Sequence, residues 1–305
     1  MSAPPGRHRT PLHRRIWRER WMYALILPGL LYFVVFRYVP LLGNIAAFQQ
    51  YSPYLGFGGS PWSGLSNFTA MLHDPEVLTA TRNTVVISFL QIAFAFPAPV
   101  ALALLLNSVM SGRVKRFVQS VVYLPHFISW VIVVAVWQQV LGGDGLLSHV
   151  IGDPGFNLMG DPSWFKALIT LQVIWKDTGW NTIIFLAVIT RIDASLYESA
   201  AMDGAGPWRR TWHVTLPAMR GIFVLLLILR LGSVLTVGFE QILLQQNAVG
   251  SDTAEVLDTF TYFRGVVAGD WGIATAAGLI KGVIGTLLVV GANKLSKRMG
   301  SEGAF

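Results

Sequence analysis

The segment Thr84–Leu106, TVVISFLQIAFAFPAPVALALLL, carries no charged side chain and decides the class of fold. A helix of about 20 apolar residues crosses the ~30 Å hydrocarbon core of a bilayer. Only helices and closed barrels satisfy their backbone hydrogen bonds in lipid, and this segment lacks the polar and apolar alternation of a barrel strand. The segment therefore predicts a transmembrane α-helix.

Five other segments of the 305-residue chain are about as long and mostly apolar, although four of them contain charged residues. The hydrophobic fraction is 53% and the charged fraction only 13%, which is too little charge to cover the surface of a water-soluble protein. We expect an all-α integral membrane protein with six transmembrane helices. The predicted spans are Met22–Leu42, Thr84–Leu106, Val118–Val140, Phe165–Thr190, Ile222–Gln241 and Ala274–Asn293.

The basic residues predict the orientation of these spans. Sixteen of the 23 Lys and Arg residues lie in loops on one side, and short loops rich in Lys and Arg stay in the cytoplasm. We expect cytoplasmic N- and C-termini, a basic tail over 1–20, a membrane domain over 21–293 and a tail over 294–305. The net charge of +7 therefore reports topology and does not indicate a nucleic-acid partner.

Several kinds of chemistry are missing from the sequence. The chain has no Cys, which excludes thiol chemistry and Cys-ligated metal sites. It also has no phosphate-binding Gly-x-x-x-x-Gly-Lys-Ser/Thr loop and no His-Glu-x-x-His metal motif. We expect no metal or cofactor in this chain.

The cytoplasmic loop over about 191–220 predicts two short helices joined by a turn. Ser195 and Glu198 have capping-box spacing, so the first helix should begin near Leu196. Gly204 and Gly206 can end it. Pro207 suits the first position of a second helix, which should run to about Thr215, and Pro217 should break the chain before span five.

The same loop resembles a known motif. Glu198-Ser199-Ala200, Gly204 and Val214-Thr215-Leu216-Pro217 have the spacing of the Glu-Ala-Ala loop of ABC-importer permeases, with Ser199 and Val214 as modest departures. Tyr197 and Asp203-Gly204-Ala205 are similar to the sugar-permease version. Leu27–Phe33, Phe96–Pro99 and Tyr123–Trp130 resemble the oligosaccharide branch of alginate and aldouronate type.

This resemblance implies a type I importer permease with six spans in the bacterial cytoplasmic membrane. It implies a homologous second permease, two ABC ATPase subunits that use ATP and Mg²⁺, and an extracytoplasmic solute-binding protein that delivers an oligosaccharide. The permease itself would be non-catalytic. The residues that would contact the ATPase are Tyr197, Glu198, Ser199, Ala200, Asp203, Gly204, Ala205, Val214, Leu216 and Pro217.

Polar residues inside the spans are candidates for a substrate path, because ionisable groups are costly in lipid. Amides and charges suit sugar hydroxyls, aromatic faces suit sugar rings, and positive residues suit a uronate. The candidates are Trp175, Lys176, Asp177, Asn181, Gln138, Arg230 and Glu240, and Gln91 is of the same type. For any single residue, packing or pairing is the competing interpretation: Lys176 with Asp177 as an internal ion pair, or Glu240 at the end of a span.

Two other functions stay open at this point. An ion-coupled secondary transporter would need a carboxylate in the middle of the membrane, and Asp177 is the plausible one. An intramembrane enzyme would need clustered catalytic groups, but the six His residues are dispersed.

Overall fold

The computed structural model describes residues 17–153 and 155–298. Within these ranges the chain is helical, and its sole β feature is an isolated bridge between Gln49 and Trp62. Most of the basic tail predicted over 1–20, and residues 299–305 of the predicted C-terminal tail, lie outside the described residues.

The main helices are, in chain order, α1 (Arg20–Phe48), α2 (Pro75–Ser108), α3 (Gly112–Tyr123), α4 (Trp130–Leu141), α5 (Phe165–Ile189), α6 (Ala194–Met202), α7 (Pro207–Gly232) and α8 (Trp271–Arg298). Short helical segments lie between them at Gly56–Gly59, Ser66–His73, Leu124–Phe127, Leu146–Ile151, Leu158–Gly160, Phe239–Leu243, Gln246–Val249, Ser251–Ala254, Leu257–Thr261 and Tyr262–Val267.

Five segments of the described chain are long and apolar enough to span a membrane: α1, α2, α7, α8 and the segment Trp130–Ile151 that begins with α4. The multi-pass membrane class is therefore confirmed. The helix α5 covers almost the whole predicted fourth span with 25 residues. It is not among these five, and Lys176, Asp177 and Asn181 make its middle more polar than theirs.

The predicted third span, Val118–Val140, is not one continuous helix. The helix α3 ends at Tyr123, a single 3₁₀ turn follows at Leu124–Phe127, and α4 begins at Trp130. Pro125 sits in this turn, where its ring prevents regular helix from continuing. The apolar part of the third span therefore begins only at Trp130.

The predicted break before span five was wrong. The helix α7 runs without interruption through Pro217 to Gly232, so the loop and the span form one 26-residue helix. A π-turn at Thr211–Thr215 widens the helix directly before the proline and accommodates its ring. The predicted end at Gln241 was also wrong, because α7 stops at Gly232 and Glu240 lies in the separate segment Phe239–Leu243.

The helix α5 is the centre of the packing. Near its first turn, Phe165 and Ile169 are fully buried in an apolar cluster with Ile87 of α2 and with the segment that follows α7. Near its last turn, Phe185 and Ile189 lie in a second apolar cluster with residues of α2 and α7. Both ends of α5 are therefore fixed by hydrophobic contacts, and its polar middle lies between the two clusters.

Gly179 sets the distance between α5 and the end of α3. A Cβ atom added at Gly179 would lie 1.9 Å from the carbonyl oxygen of Val122 and 2.5 Å from its carbonyl carbon. These are backbone atoms that no rotamer change can move. The close approach places Tyr123 and the turn after it directly against the polar middle of α5.

We predict that Gly179→Ala lowers the thermal stability of the detergent-solubilised protein, since overpacking against backbone costs about 1–3 kcal/mol. The matched control is Gly278→Ala in α8, where an added Cβ meets nothing within 4 Å. Thermal unfolding followed by size-exclusion chromatography measures both variants. Equal midpoints for Gly179→Ala and Gly278→Ala would contradict the close packing described here.

Candidate functional site

A cavity of about 490 Å³ lies beside the polar middle of α5, between that helix, α2 and α7. Much of its wall is apolar, with side chains such as Phe96, Phe185 and Leu226, and the rest is polar. The polar lining side chains are Gln91, Asp177, Thr178, Asn181, Arg230, Ser233, Thr236 and Gln241. Three of the predicted substrate-path residues, Asp177, Asn181 and Arg230, therefore meet at one cavity.

Arg230 is held in the cavity by the α2 side chain Gln91. The guanidinium donates a hydrogen bond from Nη2 to the side-chain oxygen of Gln91, and Gln91 Nε2 donates to the carbonyl oxygen of Val237 at 3.2 Å. Gln91 is 3% exposed, so these bonds are shielded from water. Arg230 is only half-buried, which leaves a positive charge at the cavity wall.

Asp177 is paired with His126 and not with Lys176. The carboxylate oxygen of Asp177 lies 2.9 Å from Nδ1 of His126, and the imidazole stacks on the ring of Trp180 with centroids 4.8 Å apart. Phe127 packs edge-on against the same tryptophan. The cluster binds the turn after α3 to α5, and Asp177 also lines the cavity.

Lys176, another predicted substrate-path residue, does not line the cavity and is bonded to the turn after α3. Its ammonium donates hydrogen bonds to the carbonyl oxygens of Pro125 at 3.2 Å, His126 at 2.8 Å and Ile128 at 2.5 Å. The ammonium also lies 5.5 Å from the ring centroid of Trp130. Lys176 therefore provides a shared donor for three carbonyls at the break after α3, where Pro125 also accepts from the N–H of Ile128.

Three further predicted residues do not line the cavity. Trp175 packs edge-on against Trp137 of α4 with centroids 6.2 Å apart. Gln138 is exposed near the end of α4. Glu240 is exposed beyond the end of α7, which agrees with the competing interpretation of a residue at a span end.

A buried cluster of glutamines borders the cavity on the side of the segment that follows α7. Gln172 Oε1 accepts hydrogen bonds from Gln241 Nε2 at 2.7 Å and Gln245 Nε2 at 3.0 Å, and Gln172 Nε2 donates to Gln245 Oε1 at 3.0 Å. Gln172 and Gln245 are not among the predicted residues, although glutamines within and beside apolar segments are a signal that could have pointed to them. The cluster ties that segment to α5, and Gln241 also lines the cavity.

The predicted helical hairpin is present, with α6 as its first arm and the start of α7 as its second. Gly204 has φ of +73° and ends α6 as predicted. Its N–H bonds the carbonyl of Ala201 and the N–H of Ala205 bonds that of Ala200, which is a Schellman motif. The N-cap is Asp193, whose carboxylate accepts from Ser195 N, so the helix begins at Ala194 and not near Leu196.

Two contacts hold the arms of the hairpin together. The hydroxyl of Tyr197 lies 2.9 Å from that of Thr215, and Arg210 Nε donates to the carbonyl of Ala205 at 2.7 Å. Among the predicted coupling residues, Tyr197, Ala200, Ala205, Val214 and Leu216 are half-buried, whereas Glu198, Ser199, Asp203, Gly204 and Pro217 are exposed. The two arms are therefore bonded to each other, and the exposed set faces the surroundings of the hairpin.

The hairpin exposes several large apolar side chains on its surface. No residue of α6 is buried, and the exposed fractions of Met202 and Trp208 are 89% and 77%. Leu196 and Trp212 are exposed as well. An exposed apolar patch on a hairpin is typical of a surface that contacts another protein.

Comparison with known proteins agrees with this architecture. The family model described as "Binding-protein-dependent transport system inner membrane component" matches residues 95–301. Protein LplB of Bacillus subtilis (strain 168) is 44% identical over 293 residues, which cover 94% of this chain and 92% of LplB. The polygalacturonan/rhamnogalacturonan transport system permease protein YteP of the same organism is also 44% identical, over 95% of this chain and 92% of YteP.

A solved structure is similar over nearly the whole chain. It is a chain of a bacterial alginate ABC transporter in complex with an alginate pentasaccharide-bound periplasmic protein. The TM-score is 0.87 and the identity is 35%, and the alignment covers 96% of this chain and 99% of that chain.

We predict that Lys176→Met lowers the stability of the purified protein by at least about 2 kcal/mol, because it leaves three carbonyls near α5 without their shared donor. Thermal unfolding in detergent is the measurement. Lys294→Met, the same change at an exposed position of α8, is the control and should have no effect. Unchanged stability of Lys176→Met would contradict the structural role and favour a role in ligand contact.

Proposed function

This chain belongs to the family of binding-protein-dependent transport system inner membrane components, and we propose that it forms half of the translocation path of an ATP-driven oligosaccharide importer. The observation that carries the proposal is the cavity with Arg230, Asn181 and Asp177 in its wall, enclosed by otherwise apolar helices. Charged and amide groups inside spans are costly, face the protein interior and mark substrate pathways in membrane proteins.

The proposed importer contains further subunits. A second, homologous permease completes the path, two ABC ATPase subunits bind and hydrolyse ATP with Mg²⁺, and an extracytoplasmic solute-binding protein delivers the saccharide. The likeness to an alginate transporter crystallised with its periplasmic protein supports this assembly. The chain itself is the non-catalytic permease, located in the cytoplasmic membrane of a bacterium.

The proposed topology has six spans, with α5 as the sixth beside the five apolar ones. Its neighbours cover its polar middle, because Lys176 and Asp177 are both bonded to the turn after α3. Both termini and the hairpin are then cytoplasmic, in agreement with the distribution of Lys and Arg. We propose the predicted division of the chain, with a membrane domain over 21–293 between two cytoplasmic tails, although α8 continues to Arg298.

Acidic oligosaccharides are the proposed substrate class. The names of two similar proteins mention alginate and polygalacturonan, and both are polymers of uronic acids. In this chain Arg230 provides a positive charge at the cavity wall, Asn181 and Thr236 offer hydrogen-bonding groups, and Trp130 offers an aromatic face. This combination suits a chain of sugars that bear carboxylates.

The structure suggests how ATP hydrolysis would act on the cavity. The helix α7 begins in the hairpin at Pro207 and ends at Gly232, and Arg230 lies in its last turn. Trp208 and Arg230 are therefore about 33 Å apart along one helix, at 1.5 Å per residue. A movement of the hairpin by the ATPases would shift the cavity wall as a rigid lever, which is a form of alternating access.

We predict that Glu198→Gln and Gly204→Val uncouple ATP hydrolysis from uptake in proteoliposomes with the complete importer. Glu198 is exposed on the hairpin, and Gly204 needs a positive φ that a β-branched residue does not adopt without strain. Uptake per ATP hydrolysed should fall severalfold while membrane insertion persists. The control is Asp144→Asn, an exposed change outside the hairpin. Undiminished uptake by both hairpin variants would contradict the coupling role.

We predict that Arg230→Gln reduces uptake of a uronate oligosaccharide by about tenfold or more, because a hydrogen bond between charged groups contributes about 1.5–3 kcal/mol. Uptake of a neutral oligosaccharide, where it is measurable, should change much less. Arg230→Lys keeps the charge and should retain a larger part of the uronate uptake. Equal losses for the charged and the neutral sugar would contradict the proposed role of Arg230 in specificity.

A further inference from the structure

A second cavity, of about 480 Å³, lies at the end of the bundle opposite the hairpin. Its walls are the first turn of α2 and the segment between α7 and α8. Three carboxylates, Glu76, Asp252 and Glu255, line it, and no Lys or Arg does. The other lining residues are Pro75, Thr79, Gln246, Asn247, Ser251 and Phe263.

Glu255 is the residue that sets this cavity apart from an ordinary acidic surface. It is 8% exposed, and in the part of the chain that the structure describes its carboxylate has no hydrogen bond or ion pair. The backbone around it is fixed, because Asn83 Nδ2 donates to the carbonyl oxygens of Asp252 at 3.1 Å and Glu255 at 2.9 Å. The backbone that carries Glu255 is therefore bonded directly to α2.

The cations near the cavity are already engaged. Arg264 lies 3.2 Å from a carboxylate oxygen of Asp74 and 3.7 Å from one of Asp270. Lys281 forms an ion pair with Asp258. Within residues 17–153 and 155–298, Glu76, Asp252 and Glu255 form no ion pair.

The Glu255 side chain is mostly buried, but its unpaired carboxylate oxygens stay open to the cavity. Like charges nearby and partial burial both disfavour the ionised form of such a group. Burial, with Glu76, Asp74 and Asp252 nearby, raises the pKa of Glu255 to about 7. The side-chain oxygen of Gln246, a lining residue that is 7% exposed, also lacks a donor. The buried groups of this cavity are thus acceptors that lack a cationic donor.

An organic cation fits the site better than a metal ion. Among the described residues no group of three or more His, Asp or Glu side chains is arranged to hold a metal. The cavity is large, and its acceptors are spread around the walls. An ammonium or guanidinium group on a flexible stem can reach such acceptors.

We propose that this acidic cavity receives a Lys or Arg side chain of the extracytoplasmic solute-binding protein when that protein docks. The proposal rests on the proposed function. Glu76, Asn247, Ser251 and Asp252 form an exposed polar rim, whereas a second permease would pack against apolar helix surfaces such as that of α1. The cavity also lies at the end from which the substrate is delivered.

Residues that are adjacent in the chain connect this cavity to the central one, so docking here would affect the central cavity. Gln246 lines the acidic cavity, and Gln245 belongs to the glutamine cluster that ties the same segment to α5. Gln241 of that cluster lines the central cavity. A cation that binds Glu255 would therefore act on the segment that borders the translocation path.

The first test measures ATP hydrolysis by the complete importer in nanodiscs as a function of the concentration of its saccharide-loaded solute-binding protein. For Asp252→Asn and Glu255→Gln, the half-saturating concentration should rise at least about tenfold, with an unchanged rate at saturation. Asp144→Asn, which removes an exposed charge outside the cavity, should behave as the wild type. Size-exclusion profiles identify any variant that fails to fold.

Wild-type half-saturation in both folded variants would overturn this proposal alone. If the binding protein does not change the rate of ATP hydrolysis by the wild-type importer, the proposed function is overturned as well. The two failures are therefore distinguishable.

The second test identifies the occupant of the cavity. Because the chain has no Cys, Asn247→Cys at the rim gives a single reactive thiol in this subunit. A short thiol- and amine-reactive cross-linker should join it to a Lys of the docked binding protein, and Glu255→Gln should reduce the yield. Cross-linking to the second permease alone would overturn the proposal. So would the absence of this cross-link together with thermal stabilisation by Ca²⁺ that the wild type shows and Glu255→Gln does not.

Discussion

The polar middle of α5 is the constraint on which the rest of the structure depends. A helix with Lys176, Asp177 and Asn181 halfway along its length cannot face lipid on all sides. The protein resolves this by anchoring both ends of α5 in apolar clusters and covering its middle with the turn after α3. Lys176 and Asp177 are bonded to that turn, while Asp177 and Asn181 also border the central cavity.

The same arrangement gives the two charged residues Lys176 and Asp177 different environments. Lys176 and Asp177 are neighbours in sequence, but successive helix residues point about 100° apart. Lys176 consequently holds backbone carbonyls, and Asp177 reaches both His126 and the cavity. The arginine across the cavity, Arg230, lies in the last turn of a helix that begins in the hairpin. One helix therefore joins the proposed site of ATPase contact to the proposed site of saccharide contact.

Much of the fold could be predicted from the sequence because lipid imposes a simple rule on helix length and polarity. The bounds of α5 and the end of α6 at Gly204 were predicted closely, since local propensity and packing agree there. The break at Pro125 was missed because Lys176, about fifty residues away, satisfies its carbonyls. Pro217 was misjudged because a π-turn accommodates it. The rotation of each helix about its own axis decides which polar side chains face the cavity. Hydropathy along the sequence does not determine this rotation.

The proposed function requires that ATP hydrolysis, and not an ion gradient, drives a saccharide through the central cavity. Uptake of a labelled uronate oligosaccharide into proteoliposomes that contain the complete importer and the binding protein, with ATP at the hairpin side, tests this requirement. We expect uptake that requires ATP, disappears with a hydrolysis-deficient ATPase subunit and is unaffected by a protonophore. Uptake that proceeds without ATP and collapses with the protonophore would contradict the proposed function.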